Sequence, residues 1–471
     1  MLRSPKTSLM FLIFLSISLL YIHLSKLRDE QETLDHSSHS PQMLIRTGSN
    51  VPNLAHVTRS GSAISPALRM TPYPKCDEEC RQVARLNRRI DCRAIIEGDP
   101  KALSSAERYL DEHPKLAAPE RVLRPTGCRP YRTNPFYRRT ANSPDEERFP
   151  IAYSIVAHRK PAQLERLVRA IYWPQNVYCV HVDRKADSNL AQFVANLVTC
   201  LPNVIMAERE VVVYGGYTRL KADLNCMSAL LRHSARWRYV INLTGEEYPL
   251  KTNRELVEIL RIYNGSNDVE GTSTQVTNMF SSRYVNRWRV DRLRGVMKMV
   301  RGSHHPPPPD NITLVKGSTF GVFSRPFVEF VLTDSTVTRF LAWLEDVWSP
   351  DELFWSTLNS GYRNPGLGAP GSYGPPPESK LWLAKYVSWS PKDPCRGRRV
   401  RGICVFSSAD LALLVARKEL FANKFYIERD YVALHCLEQW IHNRTSVQSD
   451  GQMTGFDYQF YKQMSHVRSG E

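Results

Sequence analysis

Hydrophobic positions along the chain alternate between the pattern of buried strands and the pattern of one-sided helices. Residues 151–157 and 177–182 are predominantly apolar runs, which are typical of strands buried on both faces. Between them, residues 161–172 carry apolar side chains at helical spacing on one face: Leu164, Leu167, Val168 and Ile171. The order strand, helix, strand predicts a βαβ unit with a parallel pair of strands.

The same alternation continues downstream and predicts an α/β fold with a mostly parallel sheet. We expect further strands at residues 203–208, 238–250 and 318–324, and further helices at residues 219–234, 252–264 and 325–332. A basic amphipathic stretch, residues 79–96, predicts one more helix before the sheet. No internal repeat interrupts this pattern.

Polar residues follow the two strands of the predicted βαβ unit. His158 comes after the first strand and Asp183 after the second. Ligands of open parallel sheets bind at the carboxyl ends of the strands, so either residue could line a ligand site. A simple strand-to-loop turn explains both equally well.

The N-terminal part predicts a membrane-anchored protein. Residues 8–24 are apolar and carry no charge apart from a possible one on His23, which is just enough for a spanning helix. The flank lacks a small-x-small cleavage site, which favours an uncleaved signal-anchor over a cleaved signal peptide. We expect a cytoplasmic tail at residues 1–7, a poorly ordered stem rich in Ser, Thr, Pro and His at 25–75, and a single catalytic domain at 76–471.

The charge of the chain indicates a phosphate-bearing ligand. Lys and Arg number 63 and Asp and Glu 47, which gives a net charge of +16. A basic protein attracts nucleic acid, anionic lipid or a nucleotide substrate. The sequence has no zinc-finger spacing, basic heptads or RNA-binding aromatic signature, so no nucleic-acid partner is predicted.

Cysteine usage indicates an oxidising compartment. The ten cysteines are even in number and do not form a zinc ligand set, which favours disulfides in a secretory lumen. Glycosylation sequons at Asn264, Asn311 and Asn443 agree with this compartment. A fourth sequon, at Asn242, ends an apolar run and is predicted to be buried.

The stretch Ser349-Pro350-Asp351-Glu352 has the pattern of a helix start. Ser349 is a suitable N-cap, Pro350 suits the first helical position, and Glu352 stands three residues after the cap, as in a capping box. The local sequence alone therefore favours a structural role for Glu352.

Seven motifs in order resemble one enzyme family: IAYSIVAHRK, YCVHVDRKA, KADLNCM, INLTGEEYPLKTN, SPDELFWSTL, RGICVFSSADL and LFANKF. Together they resemble the core 2-type β-1,6-N-acetylglucosaminyltransferases, glycosyltransferase family 14, of which the chain is a divergent member. The resemblance implies a GT-A-like α/β domain in a single-pass type II Golgi membrane protein. It also implies inverting transfer of GlcNAc from UDP-GlcNAc to a 6-hydroxyl of Gal or GalNAc in a glycan or glycoprotein acceptor. Glu352, in SPDE, is then the catalytic base while Ser349 remains the cap.

The resemblance implies further site residues by position. Asp183, in HVD, belongs to the nucleotide site, and Arg401 and Lys424 lie on the UDP diphosphate. Glu270, in NDVEG, and Trp389, in YVSW, fall where the family contacts its acceptor.

The charge of the leaving diphosphate can be met with or without a metal. A departing diphosphate needs a divalent cation or fixed cationic side chains. Asp268-Val269-Glu270 could imitate the Asp-x-Asp metal pair of related enzymes, but Arg401 and Lys424 offer the alternative. We expect no metal and no cofactor.

The resemblance also implies a set of disulfides. The implied pairs are Cys92–Cys200, Cys179–Cys226 and Cys395–Cys404, with Cys436 joined to Cys76 or Cys80. Cys128 and the remaining N-terminal cysteine are extra in this scheme and are free to pair with each other.

One departure from the family keeps two hypotheses open. The loop after Trp389 is short, and Trp389-Ser390-Pro391 lacks the Tyr of the family's Trp-x-Tyr acceptor motif. An active transferase is favoured because Glu352, Arg401 and Lys424 are all retained. The alternative is a weak or inactive Golgi protein that binds nucleotide-sugar or partner enzymes. The sequence specifies neither the acceptor glycan nor the oligomeric state.

Overall fold

The computed structural model describes residues 86, 89–114, 127–134, 136–389, 393–449, 453 and 455–468. The predicted tail, anchor and stem, together with Cys76 and Cys80, lie outside these residues. Contacts divide the chain into two units, and the described residues of the smaller unit are Trp389, Asp393 and Val400–Ile403. In the part of the chain that the structure describes, no helix is long and apolar enough to cross a membrane.

Thirteen strands are present in the described residues, and the largest sheet has six of them in the order β3-β2-β1-β4-β9-β6. The strands are β1 (Ile151–Ala157), β2 (Val177–Val182), β3 (Val204–Met206), β4 (Tyr239–Thr244), β5 (Glu247–Pro249), β6 (Asp268–Val269), β7 (Asn286–Asp291), β8 (Val296–His304), β9 (Gly321–Ser324), β10 (Lys385–Val387), β11 (Arg398–Val400), β12 (Ile403–Val405) and β13 (Phe421–Asn423).

The central sheet is mostly parallel, as predicted. Strands β3, β2, β1 and β4 run parallel to one another, and β9 runs antiparallel to its neighbours β4 and β6. The carboxyl ends of β1, β2 and β4 therefore lie at one edge of the sheet, where a ligand site is expected.

Seventeen α-helices are present in the described residues. They are α1 (Cys92–Ile96), α2 (Pro100–Glu112), α3 (Arg129–Thr133), α4 (Pro144–Glu147), α5 (Pro161–Ile171), α6 (Ser188–Cys200), α7 (Tyr217–Arg232), α8 (Asn253–Tyr263), α9 (Thr274–Met279), α10 (Ser282–Val285), α11 (Arg325–Thr333), α12 (Ser335–Leu344), α13 (Asp351–Asn359), α14 (Leu411–Val415), α15 (Tyr431–Ser449), α16 (Tyr458–Lys462) and α17 (Ser465–Arg468). One-turn 3₁₀ helices lie at Pro309–Asn311, Pro365–Leu367, Pro377–Ser379 and Ser408–Asp410.

Helices cover both faces of the central sheet. Tyr153 and Ile155 of β1 point into a core shared with α5, α6 and α8, whereas Ala152 points into a second core shared with α7, α11, α12 and α13. This division follows from the period of two along a strand, and it explains why β1 is buried at every position. A third core joins α1, α14 and α15 to the small sheet β10-β13-β5.

The predicted helix at residues 79–96 is wrong in its extent. Ile90 and Asp91 are not helical, and the Asp91 side chain instead caps α1 by accepting a hydrogen bond from the Ala94 amide. An Asp at an N-cap stabilises a new helix start, so the amphipathic pattern is broken there.

Two of the implied disulfides are confirmed and two are wrong. Cys179–Cys226 and Cys395–Cys404 are present. The structure pairs Cys92 with Cys436 and Cys128 with Cys200, so neither Cys92–Cys200 nor a bond from Cys436 to Cys76 or Cys80 forms. The reason is packing, because Cys92 and Cys436 share the third core while Cys200 packs against the first.

Candidate active site

The start of helix α13 differs from the predicted capping box. The helix begins at Asp351, its N-cap position is Pro350, and no side chain caps it. Ser349 has a left-handed backbone, with φ of 50°, and its amide donates to the carbonyl of Gly215 at 2.7 Å. Ser349 therefore holds the chain in place just before the helix but does not cap it. The side chain of Glu352 does not form a capping box and contacts other residues.

Two cations hold the carboxylate of Glu352. Arg283 Nη1 donates to Glu352 Oε2 at 2.6 Å, and Lys316 Nζ lies 3.3 Å from the same oxygen. Burial by itself raises the pKa of Glu352, but the charges of Lys316 and Arg283 outweigh burial, and the pKa lies below its ordinary value. The Glu352 side chain is still 28% exposed, so it is an ionised carboxylate that a substrate can reach.

Arg283 is held by two aromatic rings and one backbone bond. Its guanidinium carbon lies 4.5 Å from the centre of the Phe280 ring and 4.4 Å from that of Trp348. The Trp348 amide donates to the Arg283 carbonyl at 3.0 Å. Planar stacking of this kind suits a guanidinium and fixes its direction toward Glu352.

Lys316 is fixed through its backbone by two threonines. The Lys316 amide donates to Thr277 Oγ1 at 3.0 Å, and the Lys316 carbonyl accepts from both the amide and the hydroxyl of Thr272. The lysine itself is buried. Burial of an ammonium group has a desolvation cost, and the nearby Glu352 carboxylate compensates part of it. Sequence reasoning missed Lys316, because a lysine before a glycine in a loop carries no local signal of function.

Glu270 lies on the other side of the Lys316–Gly317 segment. Burial raises the pKa of Glu270, and the charge of Glu352 raises it further, while Lys316 opposes both. The Gly317 amide donates to the Glu352 carbonyl at 2.8 Å, and a Cβ on Gly317 would lie 2.1 Å from the Glu270 carbonyl. The predicted base and the predicted acceptor carboxylate are thus brought together around one lysine.

Asp351 is a different kind of carboxylate from its neighbour Glu352. Asp351 is buried, which raises its pKa, and the charge of Arg219 opposes that rise. Arg219 in turn bonds to Asp223 at 2.6 Å. Asp351 therefore belongs to a buried charge network behind the helix start, and Glu352 is the one of the two that is open to solvent.

Asp268 and Glu270 do not present a pair of free carboxylates. Asp268 is fully buried and accepts from Lys380 Nζ at 2.6 Å, from the Leu383 amide at 3.1 Å and from the Tyr263 hydroxyl at 3.3 Å. Both of its oxygens therefore already accept hydrogen bonds from protein donors. The described residues contain no group of three or more His, Cys, Asp or Glu side chains placed to hold a metal ion.

Asp183 lies where β2 ends and is connected to the Glu352 helix by one segment. Asp183 Oδ1 accepts from the amides of Lys185 at 2.9 Å and Val212 at 3.4 Å. Three residues after Val212, the carbonyl of Gly215 accepts from Ser349. The predicted nucleotide residue and the predicted base helix are thus positioned by the same stretch of chain.

Lys424 lies in a cluster of cations around the Tyr426 ring. The ring centre is 5.1 Å from Lys424 Nζ, 3.5 Å from Lys160 Nζ and 4.8 Å from the guanidinium carbon of Arg159. Arg159 and Lys160 follow directly after β1, so the cluster stands at the carboxyl edge of the sheet. Sequence reasoning missed both, although their place beside His158 in AHRK was an available signal.

In this cluster, Lys424 differs from the other two cations. Arg159 pairs with Glu246, and Lys160 pairs with Glu428 at 2.6 Å. Lys424 forms no ion pair with any residue that the structure describes, and it is largely buried. A fixed ammonium that lacks a carboxylate partner is suited to an anionic ligand.

Trp389 and Arg401 belong to the smaller unit. Trp389 is 51% exposed, and its amide donates to Asp393 Oδ2 at 3.2 Å. Arg401 is exposed and has a left-handed backbone, with φ of 52°, in the turn between β11 and β12. The roles implied for these two residues stay predictions.

Comparison with known proteins gives one consistent family. The family described as Core-2/I-Branching enzyme matches residues 151–415. The chain is 38% identical over 365 residues to the N-acetyllactosaminide beta-1,6-N-acetylglucosaminyl-transferase of Mus musculus, which covers 76% of this chain and 86% of the relative.

Two further relatives carry names for the O-glycan reaction. The beta-1,3-galactosyl-O-glycosyl-glycoprotein beta-1,6-N-acetylglucosaminyltransferase of Homo sapiens is 33% identical, with 75% of this chain and 85% of the relative covered. The type 3 enzyme of that name from Bos taurus is 35% identical, with 80% and 92% covered. The chain belongs to the Core-2/I-branching enzyme family.

Proposed function

We propose that the protein transfers GlcNAc from UDP-GlcNAc in β-1,6 linkage to a Gal or GalNAc residue of an O-glycan or related glycan, and so branches it. Family membership supports the reaction type. The observation that carries the proposal is the Glu352 carboxylate, held ionised by Arg283 and Lys316 and open to solvent at the first turn of α13.

In the reaction, Glu352 acts as general base. As the 6-hydroxyl oxygen of the acceptor attacks the anomeric carbon of GlcNAc, its proton passes to a Glu352 oxygen. The bond from that carbon to the UDP oxygen breaks, and the diphosphate leaves with the bonding electrons. A single displacement inverts the anomeric centre and needs no second nucleophilic carboxylate. Positioned general-base catalysis of this kind typically contributes ~10²–10⁴-fold.

On the donor side, we assign Lys424 and Arg401 to the diphosphate and Asp183 to the nucleotide. The support for Lys424 is its unpaired ammonium in the cation cluster with Arg159 and Lys160. On the acceptor side we assign Glu270, whose support is its place across Lys316 from Glu352, and Trp389, whose support is its position in the YVSW motif alone.

We further propose that transfer is independent of a metal ion. Fixed cations at the diphosphate supply the charge that a divalent ion supplies elsewhere, and Asp268 is already engaged by Lys380. Treatment with EDTA should leave the initial rate of transfer nearly unchanged. Complete loss of activity that manganese restores would overturn this proposal and direct attention to Glu270 as a ligand.

We place the protein in the Golgi membrane as a single-pass type II protein, with residues 8–24 as the anchor, 25–75 as the stem and the catalytic part in the lumen. Four disulfides among the described residues support an oxidising lumen. The exposed sequons at Asn264 and Asn311 are consistent with it.

Replacement of the base tests the proposed function. Glu352→Gln keeps the shape of the side chain but cannot accept a proton. With labelled UDP-GlcNAc and a galactose-terminated O-glycan, we expect transfer to fall by about 10²-fold or more while UDP binding is retained. Glu345→Gln is the matched control. It makes the same substitution at an exposed glutamate shortly before α13, and this variant should keep its activity.

Assays of the wild-type protein also distinguish an active transferase from a family member that only binds nucleotide-sugar or partner enzymes. If it binds UDP but transfers GlcNAc to no acceptor on a glycan array, the protein is a binding member of the family and the proposal fails. If Glu352→Gln keeps most of the activity, Glu352 is not the base.

A further inference from the structure

A two-faced hairpin projects from the segment that carries Arg283. Strands β7 and β8 pair antiparallel, with Arg289 opposite Lys298 and Val290 opposite Met297. Since opposed residues share a face and faces alternate along a strand, one face carries the basic side chains of Arg289 and Lys298. Asp291 and Val296 lie on this basic face as well, and the other face is apolar.

The apolar face fastens the hairpin beside the catalytic carboxylate. The Trp288 ring lies 6.0 Å from the ring of Trp348, and the Trp288 amide donates to the Asp346 carbonyl at 2.7 Å. The Met297 sulfur lies 3.2 Å from the position of a Cβ on Gly216. Trp348 also stacks on Arg283, so the hairpin and the base share a support.

Five exposed cations lie along the hairpin and form a basic cluster. Arg289 and Lys298 lie on the basic face, Arg292 and Arg294 lie at the turn, and Arg301 lies further along β8. Among the residues that the structure describes, none of these five side chains forms an ion pair, and the single acidic residue of the hairpin, Asp291, accepts from the backbone of Leu293 and Arg294. Like charges this close repel one another and are stabilised when an anion binds between them.

We propose that this basic face binds anionic groups, carboxylate or sulfate, carried by the acceptor glycan, so that acidic glycans are preferred acceptors. The proposal rests on the proposed function, whose acceptor class it narrows. Two features support it. The cluster is strongly positive, with the single carboxylate of Asp291 among its five cations. The hairpin packs on Trp348, which contacts the Arg283 that holds Glu352. Arginines are suited to this task because their fork matches the oxygens of carboxylate and sulfate.

The test compares two acceptors that differ in one charge. One is a neutral O-glycan, and the other is the same glycan with a sialic acid placed away from the reacting 6-hydroxyl. We expect the wild-type protein to have the higher kcat/KM for the sialylated glycan. In Arg289→Glu/Lys298→Glu, the ratio of kcat/KM for sialylated over neutral glycan should fall about threefold, because the substitutions replace attraction to the sialic acid carboxylate by repulsion.

The control is Lys101→Glu/Arg108→Glu, which makes the same change of net charge on exposed positions of α2. This variant should keep the wild-type ratio. High salt should lower the wild-type ratio in the same direction as the hairpin variant, since screening weakens exposed charge contacts.

The outcomes separate this inference from the proposed function. If the wild-type protein transfers to neither glycan, the proposed function fails, and binding of the sialylated glycan by calorimetry, with and without the hairpin substitutions, still decides the inference. An unchanged ratio in the hairpin variant overturns it. The same substitutions could instead weaken binding to phosphatidylserine vesicles and leave the kcat/KM ratio unchanged. That result would also overturn the inference, because the cluster and the exposed Leu293 at the turn would then bind a lipid surface.

Discussion

At the scale of single residues, the two cations that contact Glu352 both help and hinder its action as a general base. They keep the carboxylate ionised in mildly acidic surroundings, so that it can accept a proton there. They also make that carboxylate a weaker base, because a proton must compete with Lys316 and Arg283. The arrangement therefore favours activity at low pH over the highest possible basicity.

Replacement of Lys316 should shift the pH dependence of transfer. Glu352 has a pKa that burial raises and that Lys316 and Arg283 bring below the ordinary value. In Lys316→Met the pKa of Glu352 rises, so at acidic pH a larger fraction of the base is protonated and inactive. The acid limb of the kcat profile should move to higher pH.

Lys316→Arg is the control for this shift, because it keeps the charge and should keep the acid limb near its wild-type position. The pH profile distinguishes an electrostatic role from a purely structural one. If Lys316→Met lowers kcat equally at all pH values, Lys316 only shapes the site. The charge of Lys316 also acts on Glu270, so Glu270→Gln measures how much of any shift passes through the second carboxylate.

At the scale of elements, one glycine determines how closely α13 approaches the end of β6. A Cβ on Gly317 would lie 2.0 Å from Ser356 Oγ on the helix and 2.1 Å from the Glu270 carbonyl after the strand. No side chain at residue 317 fits between these two atoms. The Ser356 hydroxyl could rotate away, but the Glu270 carbonyl is part of the backbone and could not.

Gly317→Ala should therefore separate Glu270 from Glu352 and lower kcat/KM by about tenfold or more, since small misplacements in an active site are costly. UDP binding should change little, because the donor-side residues lie elsewhere. Gly366→Ala is the matched control, since a Cβ there meets nothing within 4 Å. Equal activity of the two variants would show that the segment adapts without moving the carboxylates.

Sequence patterns predicted the elements well where burial alone determines them. The apolar runs 151–157 and 177–182 match β1 and β2. The capping box at residues 349–352 was wrong, because Ser349 has a left-handed backbone and the Glu352 side chain contacts Arg283 and Lys316 instead. Both cations come from distant parts of the chain, so the local sequence does not reveal them. The sequence analysis did not predict the hairpin β7–β8, although the alternation of polar and apolar residues in β7 is typical of a strand.

At the scale of the whole molecule, the mixed α/β, GT-A-like fold implied by the resemblance is confirmed, but the arrangement of the disulfides is not. Cysteine spacing does not specify partners, because several connectivities fit the same sequence. The pairing Cys92–Cys436 depends on α1 packing against α15 in the third core. That contact joins a helix near the beginning of the described residues to a helix near their end, and it has no local signature in either segment.

This long-range bond should matter more for stability than the short one. Cys92–Cys436 spans a sequence separation of 344 residues, against 9 for Cys395–Cys404. If disulfides stabilise mainly by restricting the unfolded chain, the cost of removal grows with the length of the closed loop, within a typical range of about 2–5 kcal/mol. We expect Cys92→Ser/Cys436→Ser to lower the midpoint of denaturant unfolding more than Cys395→Ser/Cys404→Ser does.

Peptide mapping without reduction should first recover the Cys92–Cys436 and Cys395–Cys404 linkages, together with Cys128–Cys200, from the purified protein. This shows that the bonds compared are the ones present. Recovery of Cys92 linked to Cys200 would contradict the structure itself. If the linkages are correct but the two double variants unfold at the same denaturant concentration, the large loop is already restricted without its disulfide. The third core around α1 and α15 would then supply that restriction, because its buried side chains hold the same two segments together.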